Sequence, residues 1–223
     1  MESVIKFSFP CITYKCSLNK KGRRRYGSLE ELLATQEGIK STVGMPNGTQ
    51  ELHIDVRNSV HYTSFVEFDL EKDNIIHNLK KLNNEAQWFG LLKYNIIEYK
   101  EGGFFKEHQD KQIKPTHYGT LLVFPPALGE FAHTGGELIL DRGKFKFNSG
   151  ENTEWTFIAF QTNIVHECKE VLSGRRIVFK TELYSGIPIE RINIKKEQPD
   201  YVEQPYYVDG SLYNKDFDEE YED

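Results

Sequence analysis

Cysteine is scarce: Cys11, Cys16 and Cys168 are the only three in 223 residues, an odd set with no regular spacing. That excludes a disulfide framework and fits a reducing compartment. Cys11 and Cys16 lie too far apart for a Cys-x-x-Cys pair and no second pair answers them, which argues against a structural zinc site. Long apolar runs are also missing. No stretch approaches the ~20 residues that a membrane-spanning helix needs. The first ten residues lack a basic segment followed by an apolar one, so no secretory signal is expected. These absences point to a cytoplasmic protein. A formal net charge of -6 argues against a general nucleic-acid binder. Internal repeats are absent, and so is the alternation of strands with long helices that marks a parallel sheet.

What is present suits one β-rich domain. The 38% hydrophobic and 13% aromatic residues supply a core, while 28% charged residues and a mean hydropathy of -0.58 describe a soluble chain. A short strand is expected at Val4–Phe9, followed by the compact basic run Lys20–Arg25. That run reads as a nuclear-import signal, a contact for an acidic substrate or a solvated loop. Ser28 followed by Glu31 is a capping-box pattern, so a helix should begin there and stop near Gly38. Met45-Pro46-Asn47-Gly48 is a turn signal, and the sequon at Asn47 belongs to it. His53–Phe68 suits one or two strands. Between Asp69 and Gln87, Ile75, Ile76, Leu79 and Leu82 share one helical face.

Beyond that helix the pattern turns to short strands: Leu91–Tyr99, Gly119–Phe124, Glu137–Leu140, Lys144–Phe147, Trp155–Phe160 and Arg176–Tyr184. Close spacing with Gly- and Pro-containing turns between them indicates a sandwich or barrel. Three regions result: residues 1–87, N-terminal strands and a buttressing helix of the same domain; residues 88–198, the β-rich core; and residues 199–223, an acidic, Tyr-rich tail whose composition favours disorder.

The chemistry gathers around Tyr99–Asp110. His108 and Asp110 are two residues apart, and on an extended strand such positions share a face. His166 offers a third ligand, and two histidines with one carboxylate form the facial triad of non-haem Fe(II) oxygenases. Taken singly, each residue has a plainer reading: a surface histidine, a turn aspartate and a core histidine. Gly102-Gly103 marks a bend. Arg176 stands in the apolar run Ile177-Val178-Phe179, where a guanidinium is expensive unless an anion neutralises it or it reaches water at the strand edge. Arg175 should face the other way, toward solvent, and Lys180 shares the face of Arg176. His117 and His133 read as loop histidines near the mouth of the barrel, and Cys168 as a small core residue.

Tyr99, Gly102, Phe105, His108 and Asp110 fall in the pattern Tyr-x-x-Gly-x-x-aromatic-x-x-His-x-Asp. Gly135-Gly136-Glu137 and Gly174-Arg175-Arg176 follow, with Arg176 ten positions after His166. In order and spacing this set resembles the prolyl 4-hydroxylase-like Fe(II)- and 2-oxoglutarate-dependent dioxygenases, over about residues 88–184. The resemblance implies a double-stranded β-helix, or jelly-roll barrel, with flanking helices. It implies His108, Asp110 and His166 as iron ligands. Arg176 would hold the far carboxylate of 2-oxoglutarate, with Tyr99 and Thr120 in the same pocket. O2 is the further co-substrate, with ascorbate as an accessory reductant, and succinate and CO2 are released. The implied partner is a protein or peptide hydroxylated at a prolyl residue. Alternatives are a lysyl, nucleotide or small-molecule oxygenase of the same superfamily, a cupin-type metalloprotein, and a barrel that binds metal without catalysis. Oligomeric state is left open.

Overall fold

The structure is a computed structural model and describes residues 2–20, 23–44, 49–69, 72–84, 94–185, 207–208 and 211–212. In chain order the first part holds β1 (Val4–Phe9), β2 (Thr13–Lys20), β3 (Arg23–Gly27) and α1 (Leu29–Thr35). The short strands β4 (Ile39–Lys40), β5 (Val43–Gly44), β6 (Gln50–Glu51) and β7 (Arg57–Asn58) follow, then β8 (Val60–Asp69) and α2 (Lys72–Leu82). The second part holds β9 (Tyr94–Lys100), β10 (Phe104–His108), β11 (His117–Phe124), β12 (His133–Gly135) and β13 (Leu138–Leu140). It continues with β14 (Phe145–Phe147), β15 (Trp155–Gln161), β16 (His166–Cys168) and β17 (Val171–Tyr184). Farther on, β18 (Tyr207–Val208) and β19 (Ser211–Leu212) pair with each other.

Strand order defines the architecture. The larger sheet runs β1-β15-β11-β17-β9-β8-β2-β3 and the smaller runs β14-β13-β16-β10-β7. From β9 onward the chain passes between the two sheets, and every pairing is antiparallel. The inner strands β15-β11-β17-β9 and β14-β13-β16-β10 are the two four-stranded halves of a jelly roll. The expected mainly-β jelly roll with flanking helices is the observed fold.

Period-2 alternation sorts the side chains of the larger sheet between two cores. Ile97, Leu122, Phe124, Ile158, Phe160 and Val178 face the smaller sheet and pack with Leu138, Leu140 and Phe147. Their neighbours Ile96, Leu121, Val123, Phe157, Ile177 and Phe179 face outward. There they meet Leu29 and Leu32 of α1 and Ile75, Leu79 and Leu82 of α2. Covered on both sides, β9, β11 and β15 read as nearly continuous apolar runs. Each buried Leu or Ile of the helices contributes roughly 1.5–3 kcal/mol to docking them on the sheet.

The helices start as their sequences predict. The Ser28 hydroxyl accepts from the Glu31 amide and caps α1. The helix ends at Gln36, whose N–H donates to the Leu32 carbonyl, just before the expected stop at Gly38. In α2 the apolar face Ile75, Leu79 and Leu82 is buried as expected. Of the basic run, Lys20 ends β2 and Arg23, Arg24 and Arg25 begin β3, with Lys20 paired to Arg23; residues 21 and 22 lie outside the described residues. The turn at 45–48, the boundaries at 87/88 and 198/199, and the last ten residues lie outside the described residues. No helix among the described residues is long and apolar enough to cross a membrane.

Candidate metal centre

The register of the smaller sheet sets His108 opposite His166 across β10 and β16, with a bulge between Phe105 and His108. Their rings lie 4.2 Å apart. Asp110 sits two residues beyond the end of β10, and its carboxylate reaches the same space. One ligand atom from each of His108, Asp110 and His166 falls within 4.8 Å of the others. The triad is therefore gathered by a cross-strand pair, His108 and His166, together with Asp110 just past the end of β10.

Hydrogen bonds orient each member. His108 Nδ1 lies 2.7 Å from the Lys106 carbonyl and His166 Nδ1 lies 3.0 Å from the Ile164 carbonyl. A carbonyl accepts only, so both Nδ1 atoms carry the proton and each Nε2 keeps its lone pair. Burial, then the adjacent His166, pulls the His108 pKa down to about 3. Burial also lowers that of His166. Both rings are thus held neutral, the form that ligates a metal. Burial pushes the Asp110 carboxyl up, but the Lys180 ammonium, His166 and the Thr120 hydroxyl outweigh it and keep it ionised. Thr120 donates to Asp110 Oδ2, and Lys180 Nζ lies 3.3 Å from Oδ1. Two neutral imidazoles and an anchored carboxylate are a donor set that fits a divalent iron, with the backbone carbonyls as its orienting second layer.

Arg176 shares the pocket with this group, as do Tyr99 and Thr120. It lies inside β17, which begins at Val171, and is only 2% exposed, so it does not reach water from a strand edge. Its guanidinium lies over the rings of Tyr99 and Phe124, at 5.1 and 5.2 Å. Its Nε donates to Ser149 Oγ at 3.0 Å, and no described carboxylate pairs with it. A buried cation flanked by aromatic faces and one hydroxyl retains the capacity to bind an anion. Gly136 explains part of the Gly-Gly-Glu motif: its φ is +68°, and a Cβ there would meet Arg176 Cδ at 2.7 Å.

Several expectations need correction. His117 is no rim histidine. It is 1% exposed, with Nε2 on the Gly119 carbonyl at 3.0 Å and Nδ1 accepting from the Ile113 amide at 3.2 Å. His133 does not face the mouth either. Its Nδ1 lies 2.8 Å from the Phe131 carbonyl and its Nε2 lies 2.9 Å from Ser149 Oγ. With Nδ1 protonated, the Ser149 hydroxyl donates to His133 while accepting from Arg176, so the three form one chain. Arg175 does turn away from the barrel, but its Nε meets the fully buried Glu98 at 2.7 Å instead of facing open solvent. Cys168 is buried, as expected, and also lines the pocket.

Two residues of the site escape sequence reasoning. Ser149 carries no signal beyond a Ser-Gly turn, because its partner Arg176 is 27 residues away. Arg57 comes from β7, which extends the smaller sheet beyond the eight jelly-roll strands. Its guanidinium stacks over Phe105 at 4.7 Å, and Phe105 in turn stacks on His108 at 3.5 Å.

Fold and site together define a jelly-roll protein with a His-Asp-His group and a buried arginine in one pocket. No protein-family model matches the sequence, and no curated protein matches it. Among solved structures it is similar to a prolyl hydroxylase from Trichoplax adhaerens in complex with a hypoxia inducible factor peptide fragment, at 15% identity and a TM-score of 0.48, covering 83% of this chain and 87% of that one. It is also similar to the viral collagen prolyl hydroxylase of Paramecium Bursaria Chlorella virus-1 in its 2OG complex, at 20% identity and a TM-score of 0.39, covering 59% and 81%. A Pseudomonas putida prolyl-4-hydroxylase is similar at 12% identity and a TM-score of 0.40, covering 59% and 74%. The jelly-roll assignment stands on the strand order alone.

Proposed function

We propose that this chain is an Fe(II)- and 2-oxoglutarate-dependent dioxygenase that hydroxylates a C–H bond, its substrate a prolyl residue of a protein or peptide. The observation that carries the reading is the convergence of His108, Asp110 and His166 within 4.8 Å, in one pocket with a buried Arg176. His108 and His166 would hold the metal through Nε2 and Asp110 through a carboxylate oxygen, leaving positions open to exogenous ligands. Iron, when bound there, supplies O2 activation coupled to oxidative decarboxylation of the keto acid to succinate and CO2.

The chain's own residues bind, orient and exclude water. Arg176 presents its fork to the distal carboxylate, held in plane by Tyr99, Phe124 and Ser149. Thr120 fixes the rotation of Asp110, and Tyr99 adds a hydroxyl on the co-substrate side. Ile97, Leu122, Leu138, Phe160 and Val178 line the pocket and keep it apolar. The prolyl assignment rests on the resemblance of the Tyr99–Asp110 motif to the prolyl 4-hydroxylase-like subfamily; a lysyl, nucleotide or small-molecule substrate is the second reading.

The test is to incubate the full chain with Fe(II), 2-oxoglutarate, ascorbate and a library of proline-containing peptides. Succinate and a peptide heavier by one oxygen at proline are expected. Oxygen gained on another substrate class, with peptides untouched, moves the assignment to the second reading. Failure to turn over 2-oxoglutarate under any condition contradicts the enzyme reading.

A further inference from the structure

A line of three side chains leads out of the pocket from Arg176. His133 opens β12 and is half-buried. Its Nδ1 sits 2.8 Å from the Phe131 carbonyl, which only accepts, so in the neutral ring Nε2 keeps its lone pair. That lone pair faces Ser149 Oγ at 2.9 Å, and the same oxygen accepts from Arg176 Nε at 3.0 Å. Ser149 and Arg176 are each 2% exposed, so the link runs through the interior. Packing fixes its middle member: a Cβ on Gly150, the next residue, would meet the His133 carbonyl at 2.6 Å.

The neutral ring thus takes the hydroxyl hydrogen of Ser149 and leaves the oxygen's lone pairs to the guanidinium. A protonated ring donates from Nε2 instead. Ser149 Oγ then accepts from two cations, and its own hydrogen is released to turn elsewhere. Without an anion on Arg176 that state is disfavoured: burial, and beyond it the Arg176 charge, hold the ring below the ordinary histidine value. Of the other charged groups on the elements packed against His133, Arg175 of β17 is engaged by Glu98 and Glu130, and Glu151, at the end of the Ser149 turn, is exposed. A carboxylate arriving on Arg176 offsets the charge that opposes the imidazolium. It also brings an acceptor near the released hydroxyl hydrogen. Both changes favour the proton on His133.

We propose that His133 is a positioning residue for the anion site: through Ser149 it sets how Arg176 meets the far carboxylate of the co-substrate, and it takes up a proton when that carboxylate binds. Binding and protonation are then reciprocal, so the protein holds 2-oxoglutarate more tightly as the pH falls. This inference rests on the function proposed above. A histidine that only packs β12 against its neighbours would leave the affinity indifferent to its protonation.

The experiment uses the full chain saturated with Mn(II), which binds without turnover. 2-Oxoglutarate is titrated by calorimetry in two buffers of different ionisation enthalpy, so that proton uptake is read from the difference in heat. In the wild type we expect net uptake at about pH 6 and binding about threefold tighter at about pH 5.5 than at about pH 8, the scale of one charge pair at a half-exposed ring. His133→Gln keeps an acceptor for Ser149 but does not titrate. It should match the wild type at about pH 8 and show neither the uptake nor the tightening. His133→Asn takes its place if that variant fails to fold. 2-Oxobutyrate, which lacks the far carboxylate, should bind without uptake even in the wild type. No uptake with 2-oxoglutarate, uptake that survives in His133→Gln, or equal uptake with 2-oxobutyrate overturns the coupling while leaving the site reading intact. A wild-type protein that binds Mn(II) but no 2-oxoglutarate overturns the site reading, and the coupling with it.

Discussion

Arg176 donates its Nε to the hydroxyl of Ser149 at 3.0 Å, and that hydroxyl continues to His133 Nε2 at 2.9 Å. The guanidinium is therefore held by a side chain that has no charge to neutralise it, which leaves its outer edge to an incoming carboxylate. Arg176→Ala should weaken 2-oxoglutarate by about 2–5 kcal/mol, the loss expected when one member of a buried charged pair is removed. Ser149→Ala should weaken it by about 1–2 kcal/mol, the scale of one hydrogen bond to a charged group. Calorimetry on Mn(II)-loaded protein checks both, and metal affinity should stay the same in each.

Gly136 makes room for that arginine. Gly136→Ala would place a methyl 2.7 Å from Arg176 Cδ and 3.0 Å from Val171 Cγ2, at a φ of +68°. Backbone strain of this kind amounts to about 1–3 kcal/mol. A lower denaturant midpoint together with weaker 2-oxoglutarate binding is expected. A stable variant with normal binding would show that the glycine is not needed for the arginine's seat.

Much of this was legible in the sequence because the signals are local. Ser28 and Glu31 mark the start of α1, and the spacing of Ile75, Leu79 and Leu82 marks the buried face of α2. Along β9, β11, β15 and β17 the apolar runs mark strands buried on both faces. The spacing of His108, Asp110, His166 and Arg176 singled out side chains that the fold brings into one pocket. What was not legible depends on register between distant strands. The partner of Lys180 is 70 residues away and that of Arg176 is 27 away, and no local pattern encodes either. For His117 and His133 the reason is different, because the carbonyls that hold them are close in sequence. Their neighbours in sequence look like loops, whereas His117 opens β11, His133 opens β12, and each imidazole lies on a backbone carbonyl two residues away.

Outside the pocket, the buried Glu98 ties three strands together. It accepts from the Tyr62 hydroxyl at 2.6 Å and pairs with Arg175 at 2.7 Å. Glu98→Ala should destabilise the fold by about 2–3 kcal/mol, below the full loss for a broken buried pair because Arg175 keeps some contact with water. Urea unfolding measures this. Metal binding should survive, since Glu98 faces away from the pocket.

Acid should destabilise the metal-free protein earlier than its carboxylates alone would require. Burial lowers the pKa of His108, His117, His133 and His166. Below the ordinary histidine value of about 6.5 the unfolded chain takes up protons that the folded chain refuses. This contribution is complete above that value and is lost as the pH falls beneath it. The thermal midpoint should drop between about pH 7 and pH 5, and His117→Gln should flatten the slope. A midpoint that is level across this range would mean the imidazoles protonate freely in the folded state.

The central claim is tested most directly by anaerobic absorption spectroscopy on metal-free protein, with Fe(II) added first and 2-oxoglutarate second. A keto acid chelated to Fe(II) gives a weak visible charge-transfer band, and no substrate is needed to see it. The account predicts a band in the wild type, none in His108→Ala, and in Arg176→Ala a band that appears only at higher 2-oxoglutarate concentration. Iron bound with no band on adding 2-oxoglutarate would point to a metal-binding jelly roll of another kind, and failure to bind iron at all would contradict the account.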